Sequence, residues 1–216
     1  MDSVRTQIDT YLQEMLKMQF RVSDIIEHKV TKGELREKFI HQMVLSQFPN
    51  IIVKSGILCS GNWQSSQGDF IWLNNNARVG DINVYDLNDC KMFMEIKSCA
   101  KASELNAIND TARNIKDKRL SDSIILVGMF CYSTTAKEKT ILRKFGFKYD
   151  KDIDAYTDYT VQYDVMKNVD LLFSLNIEQE CNSPPYFIIR DYMGNCTLYK
   201  NNPVIQYFFQ CFNNYD

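Results

Sequence analysis

The sequence predicts an α/β protein: a mixed central sheet flanked by helices, with an additional helix at the N-terminus and a hairpin near the C-terminus. Three observations predict it. The apolar period changes from helical to strand-like near residue 50 and back again near residue 103. The run 121–132 is apolar at almost every position, as in a strand covered on both faces. Gly, Asn and Ser punctuate the stretch between them at strand-length intervals. At 216 residues the chain can bury one substantial core, and its 8 Gly and 4 Pro are too few for a disordered or fibrous protein.

From 3 to 26, Val4, Ile8, Tyr11, Leu12, Met15 and Leu16 recur at helical spacing between charged positions, so this segment is an amphipathic helix packed on a core. After Lys32-Gly33 a second helical pattern runs over 34–48, with Leu35, Phe39 and Met43 on one side, and stops before Pro49. Strands follow at 51–60, 69–73, 79–85 and 91–98, then a helix at 103–119 and the buried strand at 121–132. A short basic helix at 136–145, a strand at 171–175, a hairpin over 186–199 turning at Gly194-Asn195 and a closing segment at 203–212 complete the order.

Composition narrows the function. A formal charge of -2 excludes a uniformly basic, histone-like binder but leaves room for a local track along phosphates. The cations from Lys97 to Lys148 supply such a stretch, with solvated helix faces as the alternative, while 152–170 is acid-rich. Seven cysteines form no C-x-x-C pair and lie mostly in apolar runs, as reduced thiols in a cytoplasmic protein do, and only two histidines accompany them, which argues against zinc. No stretch approaches eighteen apolar residues, so neither a signal peptide nor a membrane span is expected.

Chemistry concentrates on 92–97. Strand alternation turns Met92, Met94 and Ile96 to one face and Phe93, Glu95 and Lys97 to the other. A carboxylate and an ammonium pointing the same way from a central strand form an exposed edge, a structural ion pair or a site. Phosphodiester hydrolysis needs carboxylates for a divalent cation and a nearby positive charge, and a second carboxylate is available from Asp69 or Asp81, both at the start of strand-like runs.

With these residues in place the chain resembles the PD-(D/E)xK nuclease superfamily, and within it an uncharacterised bacterial family. The resemblance rests on Gly33-Glu34-Leu35-Arg36-Glu37, Ser65-Ser66-Gln67-Gly68-Asp69 and Glu95-Ile96-Lys97-Ser98, and covers about 31–118. Gly68 and Gly80 stand where the superfamily usually has Pro before its aspartate, and Phe70 where it usually has a smaller residue.

The resemblance implies a restriction-endonuclease-like core over 31–216 and a helical extension over 1–30. It implies Asp69, Glu95, the Ile96 main-chain carbonyl and Glu34 as ligands of Mg²⁺, with Mn²⁺ able to substitute. Lys97 would position or polarise the attacking water, and Asp69, Glu95, Lys97 and Glu34 together would form the catalytic set. Asp81 is the alternative to Asp69, on the ground that a strand at 81–85, a turn at 86–89 and the strand to Lys97 would make a compact hairpin. Gln67 and His41 are weaker candidates, and Glu34 could equally stabilise the start of its helix. The implied activity is endonucleolytic cleavage, of DNA rather than RNA, in restriction or phage defence. A homodimer would ease double-strand cutting, with the helix at 3–26 as one contact. The rival readings are a catalytically silent nucleic-acid-binding or scaffold module of the same fold, and a nuclease effector activated by a partner or ligand.

Overall fold

The computed structural model describes residues 2–78, 80, 82–120, 124–177, 183–201 and 203–214. The first half of the chain forms α1 (Asp2–Ser23), α2 (Lys29–Gln47), β1 (Ile52–Ser60), β2 (Trp63–Leu73), β3 (Val84–Asp86), β4 (Cys90–Lys97), α3 (Ala102–Lys118) and β5 (Leu126–Cys131). The second half adds α4 (Glu138–Lys144), β6 (Phe145–Asp150), β7 (Ala155–Asp164), β8 (Leu171–Ser174), β9 (Tyr186–Arg190), β10 (Cys196–Lys200) and α5 (Val204–Asn214).

Eight strands make one mixed sheet in the order β10-β9-β8-β5-β4-β2-β1-β3, with β4, β5 and β8 mutually parallel at its centre. Alternation along β4 divides the core as the sequence predicts. Met92, Met94 and Ile96 join Leu12 and Leu16 of α1, Ile40 and Val44 of α2 and Phe208 and Phe212 of α5 on one face. Phe93 packs on the other face with Leu105, Ile108 and Ile115 of α3 and Ile141 of α4. Every residue of β5 is buried, which fits the continuous apolar run. At its Gly128 an added Cβ would lie 2.0 Å from the Leu171 carbonyl oxygen, so only glycine lets β8 approach. The architecture is mixed α/β with helices on both faces of the sheet.

Several boundaries differ from those read in the sequence, and each has a local cause. β2 begins at Trp63, because the polar residues 63–68 pair with β1 across a turn containing Gly61 at φ 57°. α2 begins at Lys29, where the His28 side chain accepts from the Thr31 backbone N–H, so Gly33 and Glu34 lie inside the helix. The hairpin with β4 that would favour Asp81 does not form among the described residues. β3 is three residues long and pairs in parallel with β1 at the sheet edge, while β4 lies between β2 and β5.

The acid-rich stretch contributes β7, which pairs with β6 in a separate two-stranded sheet. Arg190 on β9 anchors it through a buried 2.7 Å ion pair with Asp164, and also reaches the Tyr159 hydroxyl. The closing segment is helix α5. Its Gln206 N–H donates to the side chain of Asp9 on α1, at 2.9 Å. No helix among the described residues is long and apolar enough to cross a membrane.

Candidate active site

The site forms where two strands part. β2 and β4 pair from Leu73↔Cys90 to Phe70↔Met94, and the ladder stops there. Beyond it β2 stays with β1 while β4 stays with β5. The next residues, Asp69 and Glu95, therefore flank an open fork. The Ile96 N–H lies beyond the last β2 partner and donates instead to Asp69 Oδ2 at 2.8 Å. The Asp69 carbonyl accepts from Ser55 Oγ at 2.9 Å and is 2.7 Å from His41 Nε2, which donates to it. Asp69 is thus fixed through side chain and backbone by β4, β1 and α2.

Lys97 Nζ closes the cluster, 3.1 Å from Glu95 Oε2 and 3.7 Å from Asp69 Oδ2. Burial alone would lower the Lys97 pKa, but the charges of Glu95 and Asp69 outweigh it, so Lys97 is held above its ordinary value and is protonated at neutral pH. The residue before Asp69 explains the missing proline: a Cβ on Gly68 would lie 2.5 Å from the ring of fully buried Phe93.

The other predicted residues are placed as follows. Glu34 is exposed in the second turn of α2, so a first-turn interaction with the helix dipole does not account for it. Gln67 is exposed on β2, opposite Ile57 of β1. His41 supports the Asp69 backbone, and burial lowers its pKa, leaving it a neutral strut. Asp81 lies outside the described residues.

Glu37 is the residue the sequence does not single out. One turn from Glu34, it has its pKa pushed up to about 7, first by burial and then by the Asp69 charge, with Lys97 opposing. Its signal was the Glu34-x-x-Glu37 spacing, which puts both acids on one side of α2. Asp69 and Glu95 are thus the acids in contact with Lys97, and Glu37 feels the charges of Asp69 and Lys97 from α2. Among the described residues no three His, Cys, Asp or Glu side chains stand close enough to hold a metal ion by themselves. The donors of Asp69 and Glu95 nevertheless fit Mg²⁺, which commonly takes one or two carboxylates and completes its shell with water.

The basic stretch divides. Lys116 pairs with Asp170 at 2.6 Å and Arg119 donates to the Leu87 and Cys90 carbonyls, so both are structural. Lys137 and Lys139 instead line a groove of about 900 Å³ with Thr134, Thr135, Tyr149 and Tyr156. Thr134 bridges to Ala100, three residues beyond Lys97, so the groove opens at the same end of the sheet as the fork.

No protein-family model and no curated protein sequence matches the chain. Solved structures share its fold. NucC of Pseudomonas aeruginosa in its cAAA-bound form superposes with a TM-score of 0.68 at 14% identity, over 95% of this chain and 87% of that one. NucC of Escherichia coli in its cAAA-bound form gives 0.67 at 10% identity, over 95% and 86%. Its apo form gives 0.59 at 9% identity, over 97% and 92%.

Proposed function

We propose that this chain is a Mg²⁺-dependent endonuclease of the PD-(D/E)xK kind, able to use Mn²⁺, that hydrolyses phosphodiester bonds of DNA in phage defence and is switched on by a small ligand of the cAAA kind. The convergence of Asp69, Glu95 and Lys97 at the β2/β4 fork carries the reading. Asp69 and Glu95 would hold the metal, with the Ile96 carbonyl and Glu34 as further oxygen donors. When bound, Mg²⁺ supplies Lewis acidity and a more acidic water. Lys97 would position or polarise the attacking water beside the scissile phosphate. Lys137 and Lys139 supply cations for a phosphate backbone in a groove that also holds Glu138 and Asp154.

Ligand control is favoured over a constitutive enzyme by one observation: the fold neighbours include cAAA-bound NucC. The test is incubation with plasmid, linear duplex, single strands and RNA, with Mg²⁺ or EDTA, and with or without cAAA. Cleavage of DNA that needs Mg²⁺ and rises with cAAA is expected, and Glu95→Gln should reduce it by about 100-fold or more. Absence of cleavage under every condition overturns the nuclease reading. Cleavage indifferent to cAAA overturns only the ligand control.

A further inference from the structure

We infer that the outer face of α1 is an interface for a second copy of this chain, the two helices pairing antiparallel. α1 carries two apolar stripes. Leu12, Leu16 and Phe20 form the inner one and are buried against α2, α5 and the sheet. The outer one is Val4, Ile8, Tyr11, Met15, Met18 and Val22, with Ile25 continuing the series just past the helix end. Successive members are spaced 4, 3, 4, 3, 4 and 3 residues apart, the alternation that makes a helix wind around another helix. Met15 is half-buried and also packs against the inner core, while the other members are between 46 and 81% exposed. Isolated exposed apolar residues are ordinary, but a series of them along one side of a helix from Val4 to Val22 is not.

The spacing and the charges select the occupant. A 3.5-residue repeat is complementary to another helix with the same repeat, and a second copy of α1 supplies one. In an antiparallel pair, Met15 of one copy lies over Met18 of the other and Tyr11 over Val22. The same register sets Glu14 of each copy beside Arg21 of the other, two symmetric pairs of opposite charge on the flank turned away from the core. Covering both seams removes on the order of 1,200 Å² of surface, the lower end of what a stable pair buries.

The test is sedimentation equilibrium of the full chain up to about 100 µM. A dimer is expected. Ile8→Glu and Met18→Glu should each weaken it at least ~30-fold, with no loss of helix content or thermal stability in dilute solution, because both side chains lie outside the core. Glu14→Arg should weaken it and Glu14→Arg with Arg21→Glu should restore it. A chain monomeric at the highest concentration overturns the proposal, as does an oligomer that neither glutamate variant weakens. Failure of the double exchange to restore association overturns the antiparallel register.

Discussion

Asp69 does two jobs with one carboxylate. Its Oδ2 satisfies the Ile96 N–H left over where the ladder ends, and it faces Lys97 across the fork. Asp69→Asn keeps an acceptor for that N–H, so it should fold with near-normal stability while losing cleavage. Asp69→Ala should lose cleavage and also about 1–2 kcal/mol of stability, measured by urea unfolding. Equal stability of the two variants would show that the N–H finds water instead. Glu37 makes a second prediction through its raised pKa. An acid whose folded pKa lies above its unfolded value binds more protons in the native state, so stability falls as pH rises from about 4.5 towards about 7. Glu37→Gln should flatten that fall and gain roughly 1 kcal/mol at pH 8, the effect being reduced by partial solvent exposure. Adding Mg²⁺ should lessen the wild-type penalty, and an unchanged pH profile in the variant would remove Glu37 from the site's electrostatics. Glu95 and Lys97 were legible in the sequence because period-2 alternation fixes their common face. The Glu37 coupling was not, since it depends on how α2 crosses the fork.

Among the elements, those with strong periodicity were legible and those defined by partner choice were not. β5 reads plainly because both of its faces are apolar, and the central helix α3 because Leu105, Ile108, Ala112 and Ile115 mark one stripe. β3 misled. Sequence proximity suggests a hairpin with β4, yet β1 offers it an open edge and β4 is already paired on both sides. β7 was hidden by its charge, although Tyr156, Thr160 and Val161 give it the composition of a strand. α1 and α5 are joined by a feature no local pattern contains. Asp9, buried on α1, caps the first turn of α5 through the Gln206 N–H and receives a 2.6 Å hydrogen bond from Gln13. Asp9→Ala should therefore cost about 1–2 kcal/mol in thermal or urea unfolding, and Asp9→Asn considerably less. If Asp9→Ala is neutral, α5 does not depend on α1 for its start.

At the scale of the molecule, 14% identity with a protein of the same fold shows how little of the architecture depends on particular residues. In this chain the alternation of β4 and the double burial of β5 are displayed by the sequence, whereas the partners of β3 and β7 are not. The thiols follow the same division of inside from outside, and they have a practical consequence. Burial pushes Cys90, Cys196 and Cys211 up to about 12 and raises Cys131 further, whereas Cys59 and Cys99 are half-exposed. Iodoacetamide at pH 8 should therefore modify Cys59 and Cys99 in the native protein while these four wait for the structure to open. Cys131 sits mid-sheet between β4 and β8, and Cys211 lies on α5. Their separate alkylation rates, read by mass spectrometry of peptides, act as two clocks set at different depths. Matching rates mean that sheet and outer helix open as one unit, and a faster Cys211 means that α5 lets go first.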